Sequence, residues 1–139
     1  MTKIQLNPQK ILDNICLVSK EGALAVRSNI NYIESEMFSI EEGKTANLII
    51  KISSFVRIEG YINLKIFYHI DKEDAFLIKD EILTHDNYPK YQGGTEDKDS
   101  KSHFYYVISW PVVVPFAKIR IESNYPEPIW VSAWSYLNK

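Results

Sequence analysis

The sequence predicts an all-β chain that folds as a single antiparallel β-sandwich or barrel. Three observations predict it. Apolar and polar residues alternate with a period of two over several stretches, turn-forming residues separate those stretches, and no segment carries a convincing amphipathic-helix pattern. The 139 residues, 45% apolar and 24% charged, suit one globular domain with a sizeable core, spanning residues 1–139 without internal repeats or a linker.

The alternation is clearest in the second half. In Ala117 to Ser123, Ala117, Ile119 and Ile121 point one way while Lys118, Arg120 and Glu122 point the other, as in a strand with one wet face. Gly60 to Tyr68 repeats the pattern, with Ile62, Leu64 and Ile66 inward and Asn63, Lys65 and Phe67 outward. Ala46 to Ile52 turns Leu48, Ile50 and Ile52 inward, with Ile49 as the exception. Phe104 to Val114 is β-branched and aromatic, and it ends, bulges or lies at an edge near Pro111, because proline cannot donate to a ladder. The last run sets Ile129, Val131, Ala133 and Leu137 against Trp130, Ser132, Trp134 and Tyr136.

Glu41 to Lys44 reads as a tight turn and Asn124 to Pro128 as a rigid connection. Asp71 to Asp74 is a charged loop or a short helical turn. Pro8 to Val18 fits a short helix or an extended arm, and Phe76 to Leu83 fits a strand or a helical turn. Residues 84–103 form the one long polar segment, read as a functional or mobile loop.

Composition excludes several functions. Eighteen acidic residues against 16 Lys plus Arg offer no basic patch for a nucleic acid. No apolar run reaches 18 residues, so no membrane partner is expected. The polar start, Met1 to Lys10, lacks a signal-peptide pattern, and the expected site of synthesis is a reducing cytoplasm. A protein that works outside the cell would then leave by lysis or within a particle. The single cysteine, Cys16, cannot form an internal disulfide, and its apolar neighbours Ile15, Leu17 and Val18 predict a buried, inert thiol.

No hydrolase elbow, Walker loop, dinucleotide fingerprint or zinc-protease motif occurs, and no enzyme activity is expected. His69, His85 and His103 read as solvated or structurally satisfied side chains rather than general bases. His69, Asp71 and Glu73 share a face if extended, which fits either a metal site or a charged hairpin end. Glu96, Asp97 and Asp99 fit either a calcium loop or a solvated loop.

Aromatic residues carry the functional lead: nine Tyr, six Phe and three Trp. Trp130, Trp134 and Tyr136 fall on one side of the last strand, where flat rings can stack on the C–H faces of sugars. The alternative packs those rings into the core or between subunits, with Ala133 and Ser135 facing out. Tyr105 and Trp110 carry the same two readings, while Tyr88, Tyr91 and Tyr125 lie in loops that suit recognition. The candidate ligand-binding set is therefore Trp130, Trp134, Tyr136, Tyr105, Tyr91 and Tyr125, with no catalytic or metal residues.

Three segments carry a resemblance. Leu6-Asn7-Pro8-Gln9-Lys10 opens the chain, Ser35 to Thr45 leads through Gly43-Lys44-Thr45 into a core strand, and Val112 to Ile121 contains Val114-Pro115-Phe116-Ala117 before Ile119-Arg120. Their order over residues 6–137 resembles jelly-roll carbohydrate-binding modules, the galactose-binding-like sandwiches, above all those of bacteriophage tail and baseplate proteins. Glu42 stands where that family has proline and Ala46 where it has tyrosine. The resemblance implies a jelly roll, recognition of cell-surface glycan or of other tail proteins, and repetition in a homo-oligomeric, virion or tail-like particle. Many members hold a structural calcium ion; no matching ligand set stands in this sequence, and no cofactor is expected. The competing reading is a small intracellular or virion structural protein whose aromatic surface packs against a protein partner. A hydrolase built on paired carboxylates is the third, and the sequence places no such pair in one cleft.

Overall fold

The computed structural model describes residues 8–17, 32–54, 62–83, 90–92, 102–123 and 128–138. Their ten strands are β1 (Gln9–Leu17), β2 (Tyr32–Glu34), β3 (Phe38–Ser39), β4 (Thr45–Ser54), β5 (Ile62–His69), β6 (Ala75–Ile82), β7 (Lys90–Gln92), β8 (Ser102–Pro111), β9 (Phe116–Ser123) and β10 (Ile129–Asn138). Sheet A runs β1-β10-β4-β8-β7 and sheet B runs β2-β9-β5-β6, with β3 also on β9. All the pairings are antiparallel. The fold is thus the expected all-β antiparallel sandwich.

Between the sheets lies one core. Sheet A contributes Leu48, Ile50, Ile52, Ile108, Trp110, Ile129, Val131 and Ala133, and sheet B contributes Leu64, Ile66, Ala117, Ile119 and Ile121. Period-2 alternation creates this arrangement, because successive side chains leave a strand on opposite faces. In β9 the burial alternates without a break, and in β4 Leu48, Ile50 and Ile52 are buried while Ile49 and Lys51 are half-buried on the outer face. Removing such a side chain, for example by Ile50→Ala, costs about 2–5 kcal/mol in lost burial and cavity formation.

Both ambiguous stretches are strands. Residues of Pro8 to Val18 form β1, bulged where it pairs with β10, and Asn14 takes φ 51°, a left-handed conformation asparagine tolerates. Residues of Phe76 to Leu83 form the edge strand β6. Asp71 to Asp74 is the β5–β6 hairpin loop: Glu73 N and Asp74 N both donate to Asp71 Oδ1 at 2.8 Å, which holds that carboxyl below its usual range. Within the polar segment 84–103, the described residues include β7 and the first residues of β8. β8 does end at Pro111. The thiol prediction is overturned as well. At the end of the edge strand β1 Leu17 is buried while Ile15 and Cys16 are both exposed, so an apolar neighbourhood does not bury the thiol.

The outer face of sheet B is closed by charges on its own strands. Arg120 donates to Glu34 Oε2 from Nε at 3.0 Å and from Nη2 at 2.8 Å, and its guanidinium lies 4.1 Å from the Tyr32 ring centroid. Lys118 reaches Glu34 Oε1 at 3.4 Å, and Lys65 reaches Glu122 at 3.3 Å. Desolvation pushes the Glu34 carboxyl up, but the Arg120 bonds and charge together with Lys118 outweigh it and leave the carboxyl lowered. On the edge strand β6, Lys79 pairs with Glu81 at 3.2 Å. Charges on an edge strand discourage the addition of another strand.

Gly43 follows the Glu41–Glu42 turn with no positive φ, so conformational freedom is not what it supplies. A Cβ there would lie 2.8 Å from Leu137 Cβ, so the close approach of the turn to β10 requires glycine. Gly43→Ala is expected to cost about 1–3 kcal/mol in urea denaturation, as overpacking does; an unchanged midpoint would contradict this.

A carboxylate with a lowered folded-state pKa contributes stability above its unfolded value and loses it as pH falls through the folded one. Glu34→Gln should therefore cost about 1 kcal/mol at pH 7, and the gap to the unmodified chain should close as pH falls below about 4. An equal gap at both pH values would count against the ion-pair account.

Candidate functional site: the outer face of sheet A

The site follows from the register of three strands. β10 pairs with β4 through Trp130↔Ser53, Ser132↔Lys51, Trp134↔Ile49 and Tyr136↔Asn47. β4 pairs with β8 through Ser53↔His103, Lys51↔Tyr105, Ile49↔Val107 and Asn47↔Ser109. Directly opposed residues share a face, so all of these lie on the side of sheet A away from the core. Trp130, Trp134, Tyr136 and Tyr105 are each half-buried there, whereas Ile129, Val131, Ala133 and Ser135 are buried beneath. Within one chain, the core alternative for these rings, with Ala133 and Ser135 facing out, therefore does not hold. For Trp110 it does: the indole is buried in the core, and its Nε1 has no hydrogen-bond acceptor among the described residues.

Four of the six expected residues thus come together on one face. Tyr91 sits opposite Tyr105 in the β7–β8 register. Tyr125 lies outside the described residues, as do Tyr88, His85, Glu96, Asp97 and Asp99. Six residues of strand at ~3.3 Å each separate Trp130 from Tyr136, a span of about 20 Å.

Of the polar side chains among the rings, Asn47, Ser53 and Ser132 are buried and engaged within the sheet. Asn47 accepts from Ser109 Oγ at 2.6 Å and donates to the Tyr136 carbonyl at 3.4 Å, tying β10, β4 and β8 together. Ser53 Oγ and His103 Nδ1 lie 2.7 Å apart. Ser132 Oγ accepts from Asn14 N at 2.9 Å, across the bulge of β1. Lys10, opposite Trp134 in the β1–β10 register, holds its Nζ 5.3 Å from that indole's ring centroid and 3.1 Å from Asp13 Oδ1. A cation over an indole is attracted by the ring's negative face.

Lys51, Asn47, Ser53 and His103 join the face although sequence reading did not assign them to it. Strand parity alone places them; which parity of β4 meets which parity of β10 depends on a register the sequence does not state. Elsewhere, His69 Nδ1 lies 3.2 Å from the Asp71 carbonyl in the hairpin end. Among the described residues no three His, Cys, Asp or Glu side chains are grouped to hold a metal. This face is chemically suited to stacking and hydrogen bonding. No protein-family model matches the chain, and no curated protein matches it.

Two indoles in different settings give different substitution costs. Trp110→Ala should cost about 3–5 kcal/mol, as for a fully buried ring, and Trp134→Ala clearly less, because its ring is only half-buried. Urea denaturation of the two variants checks the order; equal losses would return Trp134 to the core.

Proposed function

We propose that the chain is a non-catalytic binding module that recognises cell-surface carbohydrate through the outer face of sheet A, as a component of a phage-tail-like or baseplate particle. The observation that carries this reading is the gathering of Trp130, Trp134, Tyr136 and Tyr105 on one half-buried face, with the accessible polar side chains of Lys51, His103 and Ser109 on the same face. Sugars are bound this way: C–H faces stack on rings and hydroxyls bond to polar neighbours. The strand order β1-β10-β4-β8 opposite β2-β9-β5-β6 supports reading the sandwich as a jelly roll, in keeping with the sequence resemblance. Binding per site is weak in such a module, and repetition in a symmetric particle raises avidity.

A second reading has its own observation. Phe76, Leu77 and Ile82 on the edge strand β6, with Ile70 in the adjoining loop, are exposed. Exposed apolar side chains gathered along an edge favour contact with another protein, such as a neighbouring tail component.

Titration with purified cell-wall polysaccharide, read by tryptophan fluorescence, separates the two. The binding module predicts a saturable change that weakens at least about tenfold in Trp134→Ala, a loss of ~1.4 kcal/mol, with the fold retained. No change with any glycan, together with an oligomer that dissociates in Phe76→Asp, would favour the protein-partner reading.

A further inference from the structure

We propose that the glycan taken by the outer face of sheet A is anionic, its sugars carrying carboxylate or phosphate groups, and that Lys51 reads that charge. The inference rests on the reading of this face as a sugar platform and adds the substrate class.

Charge is divided unevenly between the sheets. Strands of sheet B carry four cations (Lys65, Lys79, Lys118, Arg120) and four acids (Glu34, Asp80, Glu81, Glu122), which cancel and largely pair with one another. Strands β1, β4 and β10, which carry the outer face around the rings, hold Lys10 and Lys51 against Asp13 alone, a formal excess of one positive charge in a chain whose net charge is -2. Asp13, the one acid on those strands, is engaged by Lys10.

Lys51 occupies the centre of the face. It stands between Ser132 and Tyr105 in register, and Ser132 is the small residue between the two indoles of β10. Trp130 and Trp134 are therefore the diagonal neighbours of Lys51, about 7–8 Å away along the sheet. The ammonium group of Lys51 makes no ion pair with a described residue, although the side chain is half-buried. A lysine stem lies along apolar surface while its ammonium stays accessible, so this unpaired charge stands where a ligand anion can meet it. A ligand anion at Lys51, with sugar rings on Trp130 and Trp134, would supply the missing partner. Lys10, 5.3 Å from the Trp134 ring centroid, is already paired with Asp13, so Lys51 carries the charge reading alone.

Three polymers test the inference on the full chain: polygalacturonate for carboxylate, poly(glycerol phosphate) for phosphate, and neutral dextran. At least one anionic polymer is expected to bind about tenfold or more tighter than dextran, the scale of a charge-assisted contact, and which one binds tells carboxylate from phosphate. Lys51→Gln should reduce that binding to the dextran level, and Lys51→Arg, with charge retained, should keep most of it. If dextran binds as tightly as the anionic polymers, sensitive to Trp134→Ala but not to Lys51→Gln, the charge inference falls while the platform reading stands. If none of the three polymers or cell-wall polysaccharide binds, both fall.

Discussion

The structure depends on the register of β10. This strand lies between β1 and β4, and its pairing with β4 runs unbroken from Trp130↔Ser53 to Asn138↔Thr45. Because side chains alternate with a period of two, a slip of one residue would turn Trp130, Trp134 and Tyr136 inward and expose Ile129, Val131 and Ala133. The buried rows of β4 and β10 meet in only one parity, and polar contacts fix it further. Asn47 ties Tyr136 to Ser109, Lys44 N donates to the Asn138 carbonyl at 2.8 Å, and the tight contact at Gly43 seats the preceding turn against Leu137.

The same register separates the two outer faces chemically. Sheet B closes its surface internally: Arg120 lies over Tyr32 while bonding Glu34, and Lys118, Lys65 and Glu122 extend the network. The charges and the Tyr32 ring of that face already serve one another. Sheet A instead presents half-buried rings beside a lysine without an acidic partner among the described residues. Both faces hang from one core, so the outer face of sheet A can vary in chemistry while the buried parity of its strands holds the fold.

Much of this was legible in the sequence, for a physical reason. Half-buried strands announce themselves by alternation, and the inward rows of β4, β5, β9 and β10 follow directly from it. The outward set of β10 was readable too, but not its exposure, since a two-sheet protein can bury either parity of an aromatic strand. Pairing decided it, by setting Val131 and Ala133 beside Ile52 and Ile50. Cys16 misled because local apolarity says nothing about which face a residue takes. β1 and β6 were ambiguous because both are edge strands, where weak burial blurs the period: β6 is largely exposed. The platform residues of β4 and β8 stayed hidden because neighbours in a sheet are distant in the chain.

The central claim is that two of the three indoles face away from the core. Acrylamide quenching of three variants, each retaining one tryptophan with the others replaced by phenylalanine, tests it most directly. The account predicts ready quenching and red-shifted emission for Trp130 and Trp134, and protected, blue-shifted emission for Trp110. Protection of Trp130 and Trp134 in a monomeric chain, with Trp110 accessible, would contradict it.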